Sequence, residues 1–303
     1  MRPIGFITLF SLGLGCQREP AHTTKVTLAA APSAHEAPPI AEPGSPHRPR
    51  ALTIATKTRA RSAPPKPGAS TTPGTTSTFE PNAPCEESLA WPVVRGAATP
   101  EIDASISRAL ENDRWILDDT NLSDCTVGRR ARASRGFEVL MNDKGVLAVR
   151  QTETSQYEGS ISPPSPGPER WLAFDVETGE AFSWRQLVGE APSAKSSLAK
   201  LLSGCVRTYV REVNGGDEGA LRDMLEKVDL DQERLLALPT PRGLRFGALG
   251  YTPQARVLEG QGPIVTWSAL VRVGALRGDG VASRLTEGIS AAGPSHEVCH
   301  LPD

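Results

Sequence analysis

No Phe, Tyr or Trp stands between Phe10 and Phe79 of this 303-residue chain, while 13 of its 27 prolines fall between Pro20 and Pro84. A stretch without aromatics or regular apolar spacing cannot bury enough surface to offset the entropy of ordering its backbone. Residues 17–84 are therefore expected to form a disordered Pro/Ala/Thr-rich linker, with folded structure over 85–303. Charge divides at the same place. Residues 17–78 carry eight Lys/Arg against three Asp/Glu, near +5, and 79–303 carries 24 against 32, near −8. A basic linker can lie along an anionic surface such as lipid head groups or wall polymers. A solvated spacer without a partner is the simpler expectation. The run RPRALTIATKTRARSAPPKPG lacks interleaved aromatics and a recognition element, so no nucleic-acid partner is expected.

The first sixteen residues, MRPIGFITLFSLGLGC, combine one positive charge, an apolar run from Ile4 to Leu14 and a small residue before Cys16. That run is too short to span a bilayer, so a cleaved export signal is expected. The segment resembles a bacterial lipoprotein signal, with Gly13 where that pattern has Leu. The resemblance implies lipidation of Cys16 and a membrane partner reached through the lipid anchor. Gln17 rather than Asp follows, which by resemblance to Gram-negative sorting implies the outer membrane, facing the periplasm. The alternative is an ordinary secretory signal with a chance Cys.

An exported chain meets an oxidising compartment, and Cys85, Cys125, Cys205 and Cys299 make an even set, so two disulfides are expected. Three pairings are open. Cys85–Cys125 and Cys205–Cys299 are favoured because each stays within one half of the folded region. Thiolate metal ligation would ordinarily show C-x-x-C spacing, which is absent here.

About 220 residues suffice for one large core or two small lobes, roughly 85–190 and 191–303. In TPEIDASISRALEND, Ile102, Ile106 and Leu110 recur every four residues behind Thr99-Pro100, a helix with an N-cap. GFEVLMNDKGVLAVRQTET and RWLAFDVETGEAFSW alternate around Asn142-Asp143-Lys144-Gly145 and Glu177-Thr178-Gly179, predicting antiparallel hairpins. PSAKSSLAKLLSGCVRTYVREV lines up Leu198, Leu201, Leu202, Cys205, Val206, Tyr209 and Val213 on one helical face, and DEGALRDMLEKVDL predicts a second helix. GLRFGALGY, ARVLEG and PIVTWSALVRV read as short strands. Helix, strands, helices, strands predicts an α+β fold, antiparallel hairpins with a few packed helices.

Chemistry is sparse. Only His296 and His300 lie in the folded region, which leaves few builders for Ser/His, Cys/His or His-rich metal sites. HEVCH gathers His296, Cys299 and His300, but a disulfide at Cys299 would remove its thiolate, so neither metal nor cofactor is expected. The carboxylates at Asp118-Asp119, Asp175, Glu177 and Asp217-Glu218 have ordinary turn or helix-start explanations. The sequence contains no G-x-S-x-G, P-loop or G-x-G-x-x-G motif.

WPVVRGAATPEIDASISRAL resembles the opening of the extracytoplasmic domain of RsiV-type anti-sigma factors, also attached to peptidoglycan deacetylases and found in stand-alone lipoproteins. NDKGVLAVR, YEGSISPPSPGP, LAFDVETGEAFSWRQLV and GLRFGALGYTPQARVLEGQGPIVTWSAL follow that family's later landmarks in order, over about 90–272. The resemblance implies a non-catalytic binding or accessory domain outside the cytoplasm. The family's Gly-Ala-His-Pro loop is replaced by Gly159-Ser160-Ile161-Ser162-Pro163, without the His. A lipid-anchored cell-envelope binding protein is therefore expected, taking an envelope protein or a peptidoglycan-related ligand. Its candidate contact loop holds Tyr157, Gly159 and Ser160, with Trp171 near the base. The alternatives are an envelope hydrolase built on a carboxylate such as Glu158 or Asp175, and a scaffold for other envelope components. Trp184 is expected to pack in the core from an alternating strand.

Overall fold

The computed structural model describes residues 51–66, 83–123, 125–126, 130–158, 165–167, 169–213, 219, 222, 235–248, 262–290 and 298–300. The signal segment with Cys16, most of the 17–84 linker, Gly159, Ser160, the ARVLEG run and most of the helix expected after Asp217 lie outside the described residues.

The first sheet contains β1 (Thr53–Ala63), β2 (Cys85–Arg95), β3 (Ala131–Asp143), β4 (Val146–Tyr157), β5 (Ser165–Pro166), β6 (Arg170–Asp175) and β7 (Ala181–Phe182). Its order is β1-β2-β3-β4-β6-β7, with β5 on β4. All pairs are antiparallel except β2–β3, which α1 (Pro100–Leu110) and α2 (Asp119–Ser123) connect as a parallel crossover. The second sheet is antiparallel, β11-β10-β9-β8, from β8 (Leu235–Pro239), β9 (Gly243–Ala248), β10 (Ile264–Thr266) and β11 (Cys299–His300). Helices α3 (Pro192–Val213), α4 (Trp267–Arg272) and α5 (Gly280–Thr286) complete an α+β fold.

Local chemistry explains the elements that the sequence predicts. Thr99 Oγ1 accepts the Ile102 N–H at 3.4 Å and caps α1, which buries Ile106 and Leu110 completely. Asp143 pairs with Val146 across a two-residue turn in which Lys144 and Gly145 have φ of 52° and 71°, the left-handed geometry that matches strand twist. On β4, four consecutive residues are fully buried. Val146 and Ala148 face one core, while Leu147 and Val149 face another. Strand alternation therefore places this run between two apolar layers.

The smaller layer packs α1 against Val94, Leu147, Val149 and Phe174. The larger joins Leu198, Leu202, Val206 and Tyr209 of α3 to Leu235, Leu238, Leu244, Phe246 and Val265 of the second sheet, and to Met141, Val146 and Ala173 of the first. Residues from both sides of position 190 thus share one core, so the two expected lobes are not separate packing units. The disulfides are Cys85–Cys125, from β2 to the segment after α2, and Cys205–Cys299, from α3 to β11.

Three expectations are corrected. Residues 53–63, inside the span read as disordered, form β1 and pair with β2 over eleven consecutive residues. PIVTWSALVRV is strand only to Thr266, whose Oγ1 accepts the Ala269 N–H at 3.3 Å and starts α4. Trp184 is buried as expected but lies in a 3₁₀ turn (Trp184–Gln186), its Nε1–H donating to the Leu235 carbonyl at 3.2 Å.

Candidate functional site

In the antiparallel and parallel registers of β1–β4, alternate residues fall into cross-strand rows. Ser62, Glu86, Arg132 and Gln156 make one row, and Ala60, Ser88, Ser134 and Thr154 the next. Both rows lie on the same face of the sheet. They line an open groove of about 530 Å³. Its floor is made of hydroxyls, an amide and one ion pair. Ser134 Oγ lies 2.7 Å from Thr154 Oγ1, and Arg132 Nε is 2.5 Å from Glu86 Oε1, with both charged side chains nearly half exposed. Strand β5 borders the groove by pairing Pro166 with Thr154. Such a surface offers directional hydrogen bonds along four strands, so it suits a polar, extended ligand.

The opposite face of the same strands holds the irregular segment that follows α1. A loop packed on a sheet must satisfy its backbone polar groups, and buried side chains do this here. The Glu87 carboxylate, fully buried, accepts the N–H groups of Ile116 and Leu117. Arg135 donates to the carbonyls of Asn112 and Arg114 at 2.6 and 2.9 Å while pairing with Glu153. Gln151 Nε2 donates to the Leu110 carbonyl at 2.6 Å. This network sets the floor of the groove from behind.

Strand β1 supplies one wall and is itself held by charge. Arg61 Nε lies 3.0 Å from Glu87 and its Nη1 2.6 Å from Asp119. Burial works against the Arg61 charge, but the bonds to Asp119 and Glu87 prevail and hold its pKa above the ordinary guanidinium value. Lys57 reaches Glu111 at 3.4 Å and lies over the Trp91 ring. Arg59 and Arg61 both stack on Trp115, 4.5 and 4.4 Å from its centroid. Part of the basic linker is therefore not a free spacer. It lies against acidic and aromatic side chains of its own folded region.

The expected contact residues separate. Tyr157, about half exposed, ends β4 and pairs with Ala131, which places it on the face opposite the groove rows. Trp171 is partly buried, donates from Nε1 to Glu169 Oε2 at 2.7 Å, and packs over Gly247, where a Cβ would come within 2.7 Å of its ring. It bridges the two sheets. Glu158 is enclosed with Arg130, their side chains 4 % and 2 % exposed. It accepts the Arg130 Nε–H at 2.8 Å and its backbone N–H at 3.2 Å. The hydrogen bond to Glu158, working against burial, raises the Arg130 pKa above the usual range. Asp175 pairs with Arg284 at 2.7 Å and accepts the Glu177 N–H at a turn. Both carboxylates named for hydrolysis thus serve as internal anchors. Cys299 is committed to its disulfide, and His300 pairs with Ile264 beside a second cavity of about 490 Å³. Among the described residues no cluster of three His, Cys, Asp or Glu side chains could hold a metal ion, and no helix is long and apolar enough to cross a membrane.

The groove escapes sequence reading because it exists only in the register of four strands, one of them in the linker. The signal that could have found β1 is its alternation of Lys57, Arg59 and Arg61 with Thr56, Thr58 and Ala60.

A DUF3298 family member from Bacteroides fragilis has a similar crystal structure, with a TM-score of 0.51 at 11% identity, covering 79% of this chain and 99% of that one. A DUF3298 family protein from Pseudomonas aeruginosa PAO1 matches with a TM-score of 0.37 at 10% identity, over 64% of this chain and 81% of that one. No protein-family model and no curated protein matches the sequence. The Bacteroides likeness is one of fold.

Proposed function

We propose that this protein is a non-catalytic binding or accessory module of the cell envelope, anchored through lipidated Cys16 and presenting the β1–β4 groove to an envelope protein or a peptidoglycan-related ligand. The groove carries the reading: a polar, open, four-strand surface of about 530 Å³ offers many hydrogen-bonding groups and one exposed ion pair, Arg132–Glu86. The order of motifs over 90–272 supports membership in the RsiV-type extracytoplasmic family, and the fold shared with a DUF3298 protein is compatible with it. Two disulfides suit an oxidising compartment outside the cytoplasm. The N-terminal signal resemblance supplies the anchor and its outer-membrane, periplasm-facing address.

The test compares tagged full-length protein with a Ser134→Tyr variant, which fills the groove from its centre. Wild type should retain one envelope component or gain melting temperature with muropeptides, and the variant should lose that response while keeping its own fold. Retention of nothing above control together with no muropeptide shift would sink the binding-module reading. Mass spectrometry of the mature N-terminus should find an acylated Cys16, and an unmodified terminus further along the chain removes the anchor.

A further inference from the structure

Strand β1 differs from its neighbours in three ways that share one physical meaning. Its antiparallel partner is reached by a long connection: Ala63 pairs with Cys85, so residues 64–84 close a hairpin that two to five residues ordinarily close. No residue of Thr53–Ala63 is fully buried, and the apolar bolt is Leu52 just before it, 5 % exposed and held to Asn142 by two hydrogen bonds of 2.9 and 2.8 Å. Its side-chain recognition is ionic and periodic. Lys57, Arg59 and Arg61 each meet a carboxylate and an indole at two-residue spacing. A strand secured by a backbone ladder and cations, on a long connection, is related to the rest of the fold as a tethered ligand is to its receptor.

We propose that the edge of β2 covered by β1, flanked by Trp91, Trp115, Glu87, Glu111, Asp113 and Asp119, is a strand-acceptor site for an extended segment with Lys or Arg at alternate positions, and that residues 53–63 are its resident, exchangeable occupant. The covalent connection gives the resident strand an effective concentration on the order of millimolar, so it holds the site against free competitors. The pairs of Lys57 with Glu111 and Arg59 with Asp113 are well exposed, at 3.4 and 4.0 Å, and salt screens them. Arg61, mostly buried between Glu87 and Asp119, is the last to release. Because Ala60 and Ser62 line the groove, release of β1 also removes one wall of it. That consequence for ligand binding rests on the proposed function, whereas the strand exchange does not.

Two measurements on the full chain test it, neither using a groove ligand, so failure of the binding-module reading leaves them unaffected. Hydrogen exchange at about 20 and 500 mM salt should show amides of 54–63 losing about tenfold in protection at the higher salt, while those of Val146–Val149 stay unchanged. A labelled peptide of residues 51–64 should bind an Arg59→Glu/Arg61→Glu chain, whose own strand is weakened, at least about tenfold more tightly than wild type. The same peptide carrying both Glu replacements should not bind. Salt-independent protection of 54–63, or a wild-type peptide that binds neither protein, overturns the proposal. Where the charge-reversed chain fails to fold, exchange on the wild type decides.

Discussion

Replacing Glu158 with Gln removes one charge from an enclosed pair while keeping its size. In the wild type, Glu158 and Arg130 join the ends of β4 and β3: the Glu158 N–H donates to the Arg130 carbonyl at 2.7 Å, and the carboxylate accepts both the backbone and the guanidinium of Arg130. With both side chains under 5 % exposed, the variant removes the negative charge that faces the Arg130 guanidinium in a site from which water is largely excluded. Breaking one half of such a pair costs about 3–5 kcal/mol, and retained hydrogen bonding by Gln favours the lower figure. For a domain of this size about 3 kcal/mol corresponds to a fall in Tm of roughly 6–12 °C. Calorimetric melting of the oxidised protein measures it. An Arg130→Leu/Glu158→Leu double variant should recover part of the loss, since the cost comes from removing one half of a buried charge pair. A Tm within about 1–2 °C of wild type for Glu158→Gln would refute the assignment of Glu158 as an internal anchor. If that same variant lost a hydrolytic turnover seen in the wild type, Glu158 would be catalytic instead.

Three further outcomes follow from single observations. Replacing Cys85 and Cys125 by Ser should cost about 4 kcal/mol in equilibrium denaturation, and replacing Cys205 and Cys299 about 5 kcal/mol, the larger loop giving the larger loss. Gly247→Ala should cost about 1–3 kcal/mol and shift tryptophan emission, because the new Cβ meets the Trp171 ring at 2.7 Å and must push it from between the sheets. Burial raises the Tyr209 phenol above its ordinary pKa, so the neutral form is favoured in the fold. The unfolded chain ionises first as pH climbs past about 10, so stability present below that pH is lost as pH rises towards the folded pKa. Urea titrations at pH 8 and 11 should show a smaller alkaline loss for Tyr209→Phe than for wild type.

The elements legible from sequence are those whose signals are local. Thr99-Pro100 with apolar residues every four marks α1, Lys144-Gly145 marks the β3–β4 turn, and the stripe from Leu198 to Tyr209 marks α3. The favoured cysteine pairing also stands, since each bridge stays within one half of the fold. What sequence hides is non-local. β1 has few apolar side chains to alternate, because it is recognised by carboxylates and one indole, Trp115, brought from the 111–119 segment. Thr266 ends a strand and begins a helix within one apolar run, where β-propensity and a capping hydroxyl compete. The groove required both the register of four strands and the presence of β1. The groove lies on the face of β4 opposite Tyr157, while Gly159 and Ser160 of the expected contact loop lie outside the described residues.

Photo-crosslinking in the native cell puts the groove itself to the test, with a benzophenone amino acid placed at Ser62 on the groove wall, which leaves its centre open, or at Lys200 on the exposed face of α3. A discrete adduct with one envelope component is expected from position 62 and none from position 200. Equal labelling from both positions, or no adduct from the groove, would contradict it.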